Sequence, residues 1–269
     1  MGRSTRQLGF ALKLWPLTHL AKRIIHLPPF RWPASLFASR KAFRGSFIPV
    51  GEAVDLPPGV VAPREVLIDF LQRASHLVIV HSCVCRCGEG CTSYPADLAC
   101  LLLGEGSRQV DPGMGRPVSS SEAAAHLDRA IETGLLPMLG YLRVDRVIYG
   151  VKGNAPLLTI CFCCECCCVL RSGMKNLTGV FPGTMERLKG ISVLVGGGCT
   201  GCGCCLGSCP VDCIEVREGI ARIKEACLGC GACARACPRD VIRVEVSPDA
   251  EIYRDLDRRI EVWPALRHD

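Results

Sequence analysis

Eight cysteines toward the C-terminal end fall into two copies of one spacing, and that spacing dictates what this part of the chain folds around. The first copy is Cys199-x2-Cys202-x2-Cys205-x3-Cys209-Pro210, and the second is Cys227-x2-Cys230-x2-Cys233-x3-Cys237-Pro238. The copies are offset by 28 residues, and Gly201/Gly229, Asp212/Asp240 and Ile214/Ile242 match as well. A short internal repeat of this kind implies a duplicated structural unit with approximate two-fold symmetry. Thiolates are soft metal ligands, and three of them separated by two residues wrap one side of a compact metal centre. Gly201, Gly203, Gly229 and Gly231 let the backbone approach and aim amide N–H groups at the sulfurs, while each proline stiffens the exit of the chain.

Over residues 190–246 this pattern resembles the bacterial dicluster ferredoxins, in which each [4Fe-4S] cubane takes three thiolates from one run and the fourth from the other. The resemblance implies cluster I on Cys199, Cys202, Cys205 and Cys237, and cluster II on Cys227, Cys230, Cys233 and Cys209. Val211–Val216 and Ile220–Ile223 then read as strands around a turn at Gly219, with Val241–Val246 as the matching strand of the second half. Two four-cysteine zinc knuckles are the competing reading, but the pairing of a fourth cysteine with proline has no special purpose there. Cys213 corresponds to Val241 and Cys204 to Ala232, so both are expected to pack as small hydrophobes.

The chain of 269 residues has room for about two domains and contains 21 cysteines. The odd count, adjacent pairs such as Cys163-Cys164, and the expected absence of a secretory signal all point to a reducing, metal-loading compartment. No apolar run is long enough to span a bilayer; Leu77–Val80 reads as a short strand. Residues 1–51 carry nine Lys/Arg and no Asp or Glu, whereas the remainder is slightly acidic. This basic, aromatic arm, with apolar residues at Leu8, Leu12, Leu20 and Ile24, reads as packing along its own domain. Contact with an anionic membrane surface or an acidic partner is the alternative. Nucleic acid is not expected, because no recognition motif accompanies the charge.

The expected fold class is α+β. A basic arm (1–50) precedes a Cys-rich α/β domain (51–170), a linker (171–189), a ferredoxin-like dicluster domain with a pseudo-two-fold repeat (190–246) and a tail (247–269). Pro63 opens a helix through Ala74, and Leu77–Val80 is a buried strand leading to Cys83. Cys100 is placed in a short helix after Pro95. Ser119 and Glu122 form a capping box for a helix that runs to Thr133 and stops at Gly134. Val144–Val151 and Leu157–Ile160 read as strands, the second feeding Cys161.

The remaining cysteines make a second metal-binding region. Cys83, Cys85, Cys91, Cys100, Cys161, Cys163, Cys164, Cys166, Cys167 and Cys168 form the candidate pool, and Cys87 is set aside. An additional iron–sulfur cluster with ligands from both groups is the leading expectation. Zinc, a thiol–disulfide pair, or catalysis at an incompletely ligated cluster are the alternatives. Arg86 is placed to hydrogen-bond a sulfide or thiolate, and His81 reads as a neighbour rather than a ligand.

Over about residues 50–246 the order Cys-x-Cys-Arg, Tyr-Pro-Ala-Asp-Leu-Ala-Cys, Cys-Phe-Cys-Cys-Glu-Cys-Cys-Cys, then a double ferredoxin run, also resembles prokaryotic 4Fe-4S-binding proteins typical of anaerobes. That resemblance implies iron–sulfur redox work without naming a substrate. The expectation is an electron-transfer protein, or the electron-transfer subunit of a redox complex, with a redox partner protein. An autonomous oxidoreductase and a redox or metal sensor are the alternatives. A cytoplasmic location is expected, with peripheral contact at the inner membrane face as an option.

Overall fold

Short apolar runs without helical periodicity form the strands of this chain of mixed helices and strands. The computed structural model describes residues 42–51, 53–58, 60–171 and 184–260. The basic arm up to residue 41, with its two expected helical stretches, lies outside the described residues, as does most of the connector and the tail beyond 260.

Strands β1 (Phe43–Phe47), β3 (Leu77–Val80), β4 (Leu101–Leu103), β5 (Gly115–Pro117), β6 (Leu136–Leu142) and β7 (Leu158–Cys163) form one sheet in the order β1-β6-β7-β4-β3-β5. Every pairing in it is antiparallel. Residues 43–47, assigned by sequence to the arm, are therefore an edge strand. Helix α1 (Pro63–Arg73) buries Val66, Leu67, Phe70 and Leu71, and packs against α3 (Ser120–Glu132), which buries Ala123, Leu127 and Ala130. Arg64 clamps the two helices with a two-pronged bond to both carboxylate oxygens of Asp128, at 2.7 and 2.8 Å. The capping box forms as expected, with the Glu122 amide donating to Ser119 Oγ and the Glu122 carboxylate accepting from the Ser119 amide.

Successive side chains of a strand point to opposite faces. Leu101 and Leu103 accordingly join the core beneath α1 and α3, while Leu102, Val78 and Val80 join a smaller core with Tyr149 and Leu157. The sheet is buried on both faces, which explains runs such as Leu77–Val80 that lack polar alternation.

Two assignments are corrected. Val144–Val151 is not a strand, because Arg143–Ile148 is helix α4. The helical turn swings the Asp145 carboxylate inward to accept a 2.6 Å bond from Thr159 Oγ1, and leaves Val144 and Val147 exposed. Cys100 is not helical either. Its carbonyl already accepts from the Val80 amide at 3.0 Å, extending the β3–β4 ladder.

Residues 190–246 repeat one unit twice. Helix α5 (Cys204–Ser208) is matched 28 residues later by α6 (Ala232–Arg235), and β9 (Ile214–Arg217) by β11 (Ile242–Val246). Strand β8 (Ile191–Val195) matches β10 (Ile220–Ile223) in the same way. The halves exchange partners, since β8 pairs with β11 and β9 with β10. Backbone conformation repeats as well. Asp212 and Asp240 both have positive φ (50° and 51°), as do Gly201 and Gly229 (64° and 67°). The first strand is shorter than expected, starting at Ile214 rather than Val211.

The two halves of the chain interlock. Strand β2 (Val54–Asp55) lies parallel to β11, where Arg243 pairs with the Asp55 carboxylate. Helix α7 (Ile252–Ile260), which follows β11, packs back on β1 and α1 with Ile252 and Leu256 buried. Its buried Asp255 accepts from the Lys189 amide at 2.8 Å. Among the described residues, no helix is long and apolar enough to cross a membrane.

Candidate metal centres

Two cavities flank the ferredoxin-like repeat. The first is lined by Cys199, Cys202, Cys204, Cys205 and, from the other run, Cys237. The second is lined by Cys227, Cys230, Cys233 and, from the other run, Cys209 and Cys213. Backbone amides point at the sulfurs: Ala221 N–H to Cys199 Sγ at 3.4 Å, and Gly229 N–H to Cys227 Sγ at 3.4 Å. An all-thiol donor set with amide N–H groups aimed at it fits an iron–sulfur cluster in each cavity, because such donors stabilise charge on the sulfurs.

The two cavities differ in exposure. Cys202 is exposed, and Cys199 and Cys237 are half-buried, whereas Cys209, Cys213, Cys227, Cys230 and Cys233 of the second cavity are all buried. Burial pushes the Cys230 thiol up to about 11 and Cys233 up to about 12. Cys209 and Cys227 move the other way, to about 6, because the single Cys213 thiol proton is available to either. Cys213 is buried, as its match to Val241 implied, but it does more than pack. Cys204, expected to pack, is exposed on α5; its match Ala232 is buried where α6 lies under β11.

The front region brings its cysteines together through sheet topology. Strands β3 and β7 are both antiparallel to β4, so they run parallel and deliver Cys83 and Cys163 to one end of the sheet. Cys100 starts β4 at that same end, and its Sγ lies 3.5 Å from Cys161 Sγ. Cys83 precedes the short helix α2 (Val84–Glu89), whose first turn carries Cys85. The Cys85 thiol is an electrostatic neighbour of Cys83 and Cys168, and Cys168 of Cys163, so these four make one looser set. A separate set comprises Cys91, Cys164, Cys166 and Cys167, whose sulfurs all lie within 4.8 Å of one another. The pool of ten therefore divides into two quartets and one pair. Cys87 is exposed outside them.

Arg86 is 1% exposed among these thiols. Its Nη1–H donates to the Phe162 carbonyl at 3.0 Å and its Nη2–H to the Leu98 carbonyl, while Nε has no partner. Cys83, Cys164 and Cys100 are its electrostatic neighbours, and among the described residues no carboxylate pairs with it. A buried cation without an acid partner is costly, so this arrangement fits an anionic, thiolate-ligated centre beside it. His81 is turned away: its Nε2–H donates to the Pro112 carbonyl at 2.9 Å.

Sequence reasoning did not find the residues joining this end of the sheet to the repeat. Arg171 donates to the Ser208 carbonyl at 2.6 Å and approaches the Glu165 carboxylate at 3.8 Å. Tyr94 donates to Glu165 at 2.8 Å, and Arg235 of α6 donates to the Gly134 carbonyl at 2.5 Å. No local spacing marks these contacts.

A family model described as the 4Fe-4S binding domain matches residues 220–243, the stretch that holds Cys227, Cys230, Cys233 and Cys237. No curated protein and no solved structure matches the chain. The chain thus carries a ferredoxin-type 4Fe-4S binding domain alongside a further group of four cysteines spaced so that they could hold a metal ion.

Proposed function

We propose that this chain is an iron–sulfur electron-transfer protein, or the electron-transfer subunit of a redox complex. In this reading two [4Fe-4S] clusters form the conduit, and a further thiolate-bound centre lies at the end of the six-stranded sheet. The observation that carries it is the convergence of the two runs: the first cavity brings Cys237 to Cys199, Cys202 and Cys205, and the second brings Cys209 to Cys227, Cys230 and Cys233, with Cys204 and Cys213 as additional lining thiols. That is the arrangement in which two-cluster ferredoxins hold their cubanes.

When bound, the clusters supply one-electron redox chemistry at low cost in reorganisation. Cys199, Cys202, Cys205 and Cys237 hold the first. Cys209, Cys227, Cys230 and Cys233 hold the second. The exposed Cys202, with Leu206 also exposed on the neighbouring helix, makes the first cavity the face for a redox partner protein. The second, buried cavity faces inward: Arg171 acts electrostatically on Cys230 and reaches toward Glu165 in the front-domain cysteine loop. Cys83, Cys85, Cys163 and Cys168, with Arg86 as counter-charge, are the set proposed for the additional iron–sulfur cluster.

The test is anaerobic purification with iron and sulfide analysis, followed by EPR after dithionite reduction. Two cubanes give about eight irons and eight sulfides per chain, and a third raises both to about twelve. The reduced protein is expected to show two magnetically interacting cubanes. Fully loaded protein without that signal overturns the reading.

A further inference from the structure

We infer that Cys91, Cys164, Cys166 and Cys167 hold a single divalent metal ion in a tetrahedral thiolate site, separate from every iron–sulfur cluster. This deepens the front-domain part of the function proposed above.

The argument rests on sulfur spacing. Four thiolates about 2.3 Å from one ion stand about 3.8 Å apart along the edges of a tetrahedron. Cys91 Sγ and Cys166 Sγ are 3.6 Å apart, and all four sulfurs lie within 4.8 Å of one another. A cubane places each thiolate on a different iron and so spreads the four sulfurs more widely. The chain contains its own comparison. Among the described residues, no other group of three or more cysteine, histidine or carboxylate ligands meets the 4.8 Å spacing, the two ferredoxin quartets included. The quartets that line cavities are held open, and this one is drawn together.

The surroundings suit a closed metal–thiolate unit. Tyr94 Oη donates to Glu165, which stands between two of the ligands in sequence, at 2.8 Å. Four thiolates on a divalent ion leave a net charge of −2, and the buried Arg86, an electrostatic neighbour of Cys164, partly offsets it, while Arg171 approaches the Glu165 carboxylate of the same loop. All four positions are filled by protein, as in structural zinc sites, with none left open for substrate. The consequence is mechanical as well as electrostatic. The ion ties the loop after β7 to the segment after α2, beside the contacts that seat the ferredoxin repeat.

Cobalt(II) added to the full-length, iron- and sulfide-reconstituted chain tests this. One cobalt per chain is expected, with the sulfur-to-cobalt charge-transfer and d–d bands of a tetrahedral thiolate site. The paired substitution Cys91→Ser and Cys166→Ser is expected to weaken cobalt binding at least tenfold with iron and sulfide unchanged, and Cys87→Ser to leave both intact. X-ray absorption on the wild-type protein as purified covers the case in which the variant does not fold. Four sulfurs at about 2.3 Å around zinc support the site, as does one iron in excess of sulfide with the ferric signature of a four-sulfur mononuclear centre. Cobalt binding unaffected by the paired substitution, or its loss of four irons together with four sulfides, overturns it. Wild-type chain that binds the cobalt but lacks the eight ferredoxin irons sinks the electron-transfer reading instead.

Discussion

The Sγ of Cys213 lies 3.4 Å from the Sγ of Cys209, and the Cys213 amide donates to the same Cys209 sulfur at 3.3 Å. The Cys213 thiol also reaches Cys227. Cys213 therefore stands at the second cavity with its amide donating to Cys209 and its single thiol proton available to Cys209 or Cys227. Hydrogen bonds to cluster ligands stabilise the more negative, reduced state and raise the potential. Cys213→Val, which copies the matching Val241, is expected to keep the full iron content. It lowers the potential of one cluster by tens of millivolts, on a scale where ~59 mV is tenfold in a one-electron equilibrium. Redox titration followed by EPR reads the shift, and an unchanged potential removes the tuning role.

Arg86 gives a prediction whose sign depends on metal loading. In the metal-free chain it is a buried cation with an unpartnered Nε. In the loaded chain it faces an anionic centre. Arg86→Met removes the carbonyl bonds to Phe162 and Leu98 in both forms, so that loss cancels in the comparison. What survives is the charge term. Breaking a buried ion pair costs about 3–5 kcal/mol, and the gap in stability between loaded and metal-free protein is expected to shrink by that order. Denaturant curves for four samples, wild type and variant with and without metal, measure it. An unchanged gap means that the charge is compensated elsewhere.

These two residues show where the sequence was legible and where it was not. The α1 and α3 helices and the β3, β10 and β11 strands follow local rules: proline at a helix start, a capping box, short β-branched runs. Strand β6 escaped assignment because Pro137 and Gly140 look like breakers. In the folded chain Gly140 is required, since a Cβ there would stand 2.6 Å from the Arg44 carbonyl oxygen of β1. The β-branched pattern of 144–151 lost to the tertiary bond between Asp145 and Thr159. The eight ferredoxin cysteines declare their grouping through a repeated local spacing. The front quartets have no such signature, because Cys91 meets Cys164 only after four strands have been threaded through the sheet.

Asp145 carries a pH dependence. Burial raises its carboxyl pKa to about 6, against a smaller lowering by the Thr159 hydroxyl. The folded state therefore holds the proton more tightly than the unfolded chain. Its contribution is fully present below about pH 4, the unfolded value, and is lost as pH rises through 6. A shift of about two units corresponds to about 3 kcal/mol. Asp145→Asn keeps an acceptor for Thr159 and removes the titration. Urea midpoints for wild type and variant are expected to diverge between pH 4 and 6, in favour of the variant as pH rises. Parallel curves contradict the assignment.

The glycines of the repeat separate two physical causes that a sequence motif merges. Gly201 and Gly203 both have positive φ, 64° and 78°. A Cβ on Gly201 would meet the Gly219 carbonyl oxygen at 2.6 Å and its Cα at 3.0 Å, whereas one on Gly203 meets only Leu206 Cδ1 at 3.5 Å. Gly203→Ala thus carries the left-handed strain alone, about 1–2 kcal/mol, and is expected to retain both clusters with a lower melting temperature. Gly201→Ala adds a backbone collision between the first ligand loop and the β9–β10 turn, which cannot be relieved by a rotamer change. It is expected to displace Cys199 and Cys202 and to lose about four irons, the content of one cubane, from the exposed cavity. Iron analysis and EPR of the two variants side by side decide this. Equal iron retention in both shows that the turn at Gly219 yields to the loop.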